Sequence, residues 1–73
     1  MDIKITMRKI KEDCIAKIAF IINVQLTLIE LAEADKISQE EFEYMYGRLE
    51  ECKSTFKEMR IACDNTIKQY SIA

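Results

Sequence analysis

The chain has 73 residues, a single glycine, and no proline, histidine or tryptophan. A chain this short forms at most one domain and buries only about 60–65% of its unfolded surface, so its core needs support from disulfides, a metal or other chains. Because a β-sandwich or barrel needs a turn about every 8–12 residues, the scarcity of turn-forming residues excludes those folds and favours a few long helices.

The net charge of −2 gives no general attraction to nucleic acid or to an anionic membrane. The absence of histidine removes the commonest general base, and the lone Gly47 cannot form a phosphate-binding loop, so we expect neither an enzyme nor a cofactor. Cys14, Cys52 and Cys63 are odd in number and lack CxxC spacing. We expect them to be buried, reduced thiols in a cytoplasmic protein rather than a disulfide framework or zinc site.

At the N-terminus, polar and apolar residues alternate between Asp2 and Arg8, which is the pattern of a strand, so we expect residues 1–6 to form either an extended arm or a frayed first turn of the first helix. This pattern resembles the N-terminal strand of ribbon-helix-helix repressors. The resemblance implies an obligate dimer that reads DNA through Lys4, Thr6 and Arg8. The family's first helix is short and ends at a glycine-containing turn, whereas the first helix here is long and ends without glycine. DNA binding is therefore the alternative function.

The first predicted helix covers about residues 7–33, and between residues 18 and 32 its apolar side chains surround it almost completely. A helix that is apolar on every side must be covered on every side, and one partner helix cannot do this. We therefore expect self-association with the first helices at the centre. The candidate self-association residues are Ile15, Ile18, Ile21, Ile22, Gln25, Leu28 and Ile29.

The same apolar segment raises the question of a membrane or a signal peptide. Only 12 residues separate Lys17 from Glu30, whereas a spanning helix needs about 20. Residues 32–34 imitate a signal-peptidase site, but the segment before the apolar run mixes acidic with basic residues. We expect neither membrane insertion nor secretion.

A short connection at 34–37 and a second helix over about 38–70 follow. Ser38 and Glu41 have the spacing of a capping box, and Ile37 and Phe42 that of a hydrophobic staple. Apolar residues then recur at alternating spacings of three and four, which predicts one contact stripe. The stripe consists of Phe42, Met45, Leu49, Cys52, Phe56, Met59, Cys63, Thr66 and Tyr70.

The connection joins two helices of similar length, so the predicted fold is an all-α antiparallel helical hairpin forming a single domain. Two hairpins would form a dimeric four-helix bundle, the simplest closed assembly, although a higher oligomer would satisfy the same pattern. The segment from Glu30 to Glu41 has the length of an EF-hand loop. Alanines replace two of its ligands and Asp35 its glycine, so no metal site is expected.

Acidic residues cluster around the predicted turn, and Tyr44 lies among them on the solvent side. Such a surface suits capture of a basic protein partner, although it also suits a solvated helix cap. The candidate partner-binding residues are Glu33, Asp35, Glu40, Glu41, Glu43 and Tyr44. The expected function is thus a non-enzymatic protein-binding module, an adaptor, inhibitor or regulator. A short all-helical chain would also suit a phage or mobile-element accessory protein, although no motif indicates this.

A second alternative is an oligomer that sequesters a nucleotide between its subunits. This would require basic residues that converge at an interface. Lys17 lies on an otherwise apolar seam of the first helix, and Arg48 and Arg60 flank the seam of the second. Basic side chains at the edge of a bundle more commonly extend to solvent, which favours the protein-binding interpretation.

Overall fold

The computed structural model describes residues 2–71 of the chain, and two helices account for almost all of them. Helix α1 spans Ile3–Glu33 and helix α2 spans Gln39–Ser71. They pack side by side as an antiparallel hairpin, giving a rod of 56 × 16 × 14 Å. The predicted all-α hairpin is confirmed. Both helix ends nearest the turn lie within one residue of their predicted positions.

Helix α1 begins at Ile3, so of the two alternatives for the first residues, the helical turn forms over residues 3–6 and the extended arm does not. The Asp2 carboxylate accepts the backbone N–H of Lys4 at 2.9 Å, and the Asp2 carbonyl accepts the N–H of Thr6 at 3.1 Å. Extending an existing helix by one turn is favourable, whereas an isolated strand needs a partner. Lys4, Thr6 and Arg8 therefore lie on a helix, and the ribbon needed for DNA reading is not formed. Met1 lies outside the described residues.

Helix α1 ends without a glycine because Asp35 adopts the left-handed conformation, with φ of 55°. The N–H of Lys36 donates to the Leu31 carbonyl at 2.9 Å, and the N–H of Asp35 donates to the Ala32 carbonyl at 3.1 Å. These two bonds form a Schellman motif, which satisfies carbonyl groups that the helix end would leave unpaired. Aspartate tolerates this backbone region better than most residues, so a sharp reversal occurs at a position where the sequence offers no glycine.

Helix α2 begins with the predicted capping box. The Ser38 hydroxyl accepts the N–H of Glu41 at 3.1 Å, and the Glu41 carboxylate accepts the N–H of Ser38 at 3.2 Å. Hydrogen bonding to Ser38 lowers the pKa of the Glu41 carboxyl. The bond from the Ser38 backbone N–H is the larger cause, and the Ser38 side chain is the smaller one. Both ends of the turn are thus held by local hydrogen bonds, so the reversal at residues 34–38 is specified by its own sequence.

The two helices meet along residues that recur every seven positions. Cys14, Ile21 and Leu28 of α1 and Cys63 of α2 are the buried apolar residues among those described. On α2 the contact face is rotated partly off the predicted stripe: six of the nine stripe residues are buried or half-buried, whereas Cys52, Met59 and Tyr70 are exposed. The side chains that are instead half-buried on the other flank of the contact are Tyr46, Lys53 and Ile67. The rotation brings polar groups of α2 to α1, as described below.

Replacing Ser38 by alanine should lower the free energy of unfolding by about 1 kcal/mol, because it removes the acceptor for an N–H at the start of α2. Urea denaturation followed by circular dichroism would measure this loss. Ser54→Ala, at an exposed site within α2, is the matched control and should be neutral or slightly stabilising. Equal stability of the two variants would contradict the role of the cap.

Candidate functional site

A closed triangle of side-chain hydrogen bonds joins α1 to α2 between the turn and the free end of the hairpin. The side-chain amide nitrogen of Gln25 donates to the Glu50 carboxylate at 2.7 Å. The Lys53 ammonium donates to the same carboxylate at 2.7 Å and to the side-chain amide oxygen of Gln25 at 3.1 Å. Gln25 is only 4% exposed. Because a buried amide must be hydrogen-bonded, this triangle fixes the register of the two helices.

The Lys53 ammonium, and after it the Gln25 amide, lower the pKa of Glu50 by hydrogen bonding to its ionised form. A second link lies nearer the free end of the hairpin, where the Lys11 ammonium is 2.6 Å from the Asp64 carboxylate. The hydrogen bond from Lys11 likewise lowers the pKa of Asp64. We call the side of the hairpin that carries these two links the polar face.

The structure divides the predicted self-association residues into two groups. Ile21, Gln25 and Leu28 are buried, and α2 already covers them within one chain. Ile15 and Ile22 are exposed, while Ile18 and Ile29 are half-buried. The exposed pair lies next to the polar face and, together with Leu26, forms a row that we call the outer strip. Among these seven candidates, only the members that α2 leaves uncovered remain available to a second molecule.

On the side away from the polar face, the helices border an apolar groove of about 360 Å³. Its floor is formed by apolar side chains of both helices, and Tyr44 and Arg48 stand at its rim. The residues that line it are Val24, Leu28, Tyr44, Met45, Arg48 and Leu49. Sequence reasoning did not predict this groove, because it assigned Met45 to the interface with α1. The rotation of α2 leaves Met45 half-exposed and opens the groove beside it.

The acidic candidates all lie in or near the turn, as expected from the hairpin, and all are exposed. Their availability differs. The carboxylate of Glu41 is engaged in the cap, and that of Glu43 accepts a hydrogen bond from Gln39 at 3.1 Å. The Tyr44 side chain is 70% exposed, which makes it the largest free apolar contact of the tip. We call Glu33, Asp35, Glu40, Glu43 and Tyr44 the acidic tip.

The basic residues considered for nucleotide sequestration do not converge. Lys17 forms an ion pair with Asp13 and lies over the Phe56 ring, 5.9 Å from its centroid. Arg48 lies 3.6 Å from Glu51, and it is separated from Arg60 by three turns of α2, about 18 Å. Within a single hairpin, these three cations do not form a common anion site.

No group of three carboxylate or thiol side chains within residues 2–71 lies close enough to hold a metal ion. The three cysteines are free, and Cys14 and Cys63 are buried as predicted. The predicted burial is wrong for Cys52, which is exposed because the contact face of α2 is rotated away from it. Helix α1 is long and apolar enough to cross a membrane by length and composition. Its most apolar 18-residue segment has a mean hydropathy of 1.8, and 22% of that segment is buried in the hairpin. Core helices of soluble proteins and signal sequences have the same properties.

Comparison with protein-family profiles, with curated proteins and with solved structures finds no match to this chain.

The hydrogen-bonded triangle predicts a specific pH dependence. Because the folded pKa of Glu50 lies below its ordinary value of 4.5, the ionised carboxylate stabilises the fold above that pH, and the contribution is lost as the pH falls through the folded pKa. Between about pH 6 and pH 3, the free energy of unfolding should therefore fall more steeply for the wild type than for Glu50→Gln. Glu58→Gln, at an exposed site of α2, is the matched control. Parallel pH profiles for wild type and Glu50→Gln would contradict the triangle.

Proposed function

We propose that the chain is a small, non-enzymatic protein-binding module, an adaptor, inhibitor or regulator, that acts as a self-associated helical bundle. One observation supports self-association above all others. Among the described residues, the hairpin buries only four apolar side chains, of which two are small cysteines, while Phe20 and Leu26 are 68% and 53% exposed. A helix this apolar is stable in water only when another apolar surface covers it.

The acidic tip supports the second half of the proposal. It carries an exposed aromatic ring beside several carboxylates at one end of a rigid rod. Aromatic residues contribute strongly to protein interfaces, and a surface of one charge steers an oppositely charged partner toward it. The proposed partner is therefore a basic protein surface. The free thiols support a cytoplasmic location for the module.

The first prediction concerns mass. Sedimentation equilibrium at micromolar concentration should give at least twice the chain mass of 8.6 kDa, because a second copy covers apolar surface that one hairpin leaves in water. A chain that sediments at 8.6 kDa throughout the accessible concentration range would refute the self-associated bundle.

The second prediction concerns the acidic tip. The double variant Glu40→Lys/Glu43→Lys reverses two charges there and leaves the Ser38–Glu41 cap intact. Quantitative affinity capture from the native host should show basic proteins that the wild type retains and this variant loses, because the attraction has become repulsion. The matched control, Glu12→Lys/Glu58→Lys, makes the same change in charge far from the tip and should retain them. Equal capture by both variants would show that the acidic tip does not bind a partner and is only a solvated helix cap.

A further inference from the structure

One long side of the hairpin exposes apolar side chains from both helices. Phe20 and Leu31 of α1 and Cys52 and Met59 of α2 are exposed there, and the groove bordered by Val24 and Met45 lies between the helices. On α2, Met45, Cys52 and Met59 follow one another at intervals of seven residues and so form a row along the helix. We call this side, formed by Phe20, Val24, Leu31, Met45, Cys52 and Met59, the open face.

The opposite side of the hairpin is different in chemistry. There α1 presents the outer strip, but the neighbouring row of α2 consists of charged residues. These are Glu43, Glu50, Lys57 and Asp64. Covering that side would remove charged groups from water, which costs free energy unless each one finds a partner. Tyr46 and Ile67 of α2 lie between those charges and α1, but they are already half-buried within the hairpin. The open face is the side on which α2 adds a row of apolar residues, Met45, Cys52 and Met59, to those of α1, so another apolar surface can rest on the full width of the hairpin there.

We propose that a second copy of this chain covers the open face, with Phe20 of each copy inserted into the groove of the other. This proposal rests on the self-association proposed above and identifies the face that carries it. An apolar cavity of about 150 Å³ holds a benzene molecule, so the groove of about 360 Å³ has room for a phenylalanine ring. The groove lies within the open face, next to an aromatic side chain that is 68% exposed.

The spacing of these features fits a two-fold dimer. A two-fold interface requires each feature and its complement to lie on the same surface patch. Val24, which borders the groove, follows Phe20 by one helical turn, about 6 Å along the axis. A two-fold axis that crosses α1 between these two residues places Phe20 of each copy at the height of Val24 of the other. Phe20 of each copy then meets the groove of the other copy, so the same residues form both contacts.

The hairpin exposes enough surface for one additional partner. Because it is a rod, it has an accessible surface of 5589 Å², whereas a compact monomer of its mass would have about 4,700 Å². The difference of about 900 Å² exceeds the roughly 800 Å² that each partner buries in a stable interface, so a second copy could cover one face and still leave the hairpin no less exposed than a compact monomer. The radius of gyration of 16.6 Å likewise exceeds the roughly 11 Å of a compact chain of this length.

The charged groups beside the open face have partners within the hairpin, including Arg48 at the rim of the groove, whose guanidinium lies 3.6 Å from the Glu51 carboxylate. The charge of Lys17 is balanced by Asp13, and the hydroxyl of Thr27 donates to the carbonyl of Asn23 at 3.1 Å. Covering these groups would not leave a lone charge or an unpaired hydroxyl, which is the usual obstacle to burying a polar side chain.

Two measurements test the face. In sedimentation equilibrium, Phe20→Asp should raise the dimer dissociation constant by at least about 100-fold, since the change affects both symmetric contacts. Leu26→Asp, an exposed apolar site on the outer strip, is the matched control and should dissociate like the wild type. In the wild type, pulsed maleimide labelling with peptide mapping should show Cys52 reacting at least about 10-fold more slowly at concentrations where the dimer forms, because the second copy covers it.

Each other outcome overturns the proposal in a distinguishable way. If the wild type dimerises but Leu26→Asp dissociates it and Phe20→Asp does not, the outer strip forms the interface and the proposed self-association stands. Unchanged reactivity of Cys52 across the monomer–dimer transition would likewise exclude the open face, without any variant. If the wild type remains monomeric, the proposed self-association fails as well. Monomers that bind lipid vesicles would assign the open face to a membrane surface.

Discussion

The apolar surface of α1 extends around most of its circumference, and α2 can cover only one side of it. Within the hairpin, α2 shields Cys14, Ile21 and Leu28 from water, whereas apolar side chains that flank this row on both sides, such as Phe20 and Ile22, remain exposed. Free energy gained from burial scales with apolar area removed from water, at about 25 cal/mol per Å². A single hairpin therefore gains less free energy from burial than its apolar composition allows. Covering the rest of α1 with another apolar surface would add to this free energy.

Polar contacts determine which part of α1 is left uncovered. The Gln25–Glu50–Lys53 triangle and the Lys11–Asp64 ion pair all lie on one side, and they hold α2 turned toward that side. As a result, Cys52 and Met59 face away from α1 although their heptad positions suggest an interhelical seam. The same hydrogen bonds that set the register of the hairpin thus create the open face, where the rows of both helices are free to meet a second molecule.

The sequence was sufficient to predict the hairpin, because its signals are local. The Ser38–Glu41 cap and the absence of turn residues elsewhere define two helices and one reversal. The start of α1 was harder to predict, since a seven-residue alternation is compatible with either a strand or a helical turn capped by Asp2. The direction in which α2 faces depends on contacts between distant residues. Gln25 was predicted to take part in self-association, whereas the structure pairs it with Glu50 and Lys53 of the same chain. Nothing in the sequence distinguishes these two partners from ordinary solvent-exposed charges, because only the register of the helices brings them to the level of Gln25.

The dependence of folding on burial between chains can be measured directly by urea denaturation at different protein concentrations. If the folded state is a dimer, the transition midpoint must rise with concentration, because dilution favours the separated, unfolded chains. Between about 1 and 100 µM the apparent stability should rise by about 2.7 kcal/mol, which corresponds to a midpoint shift of roughly 1 M urea or more. A midpoint that does not change across this range would show that one hairpin is stable alone, and would contradict the account.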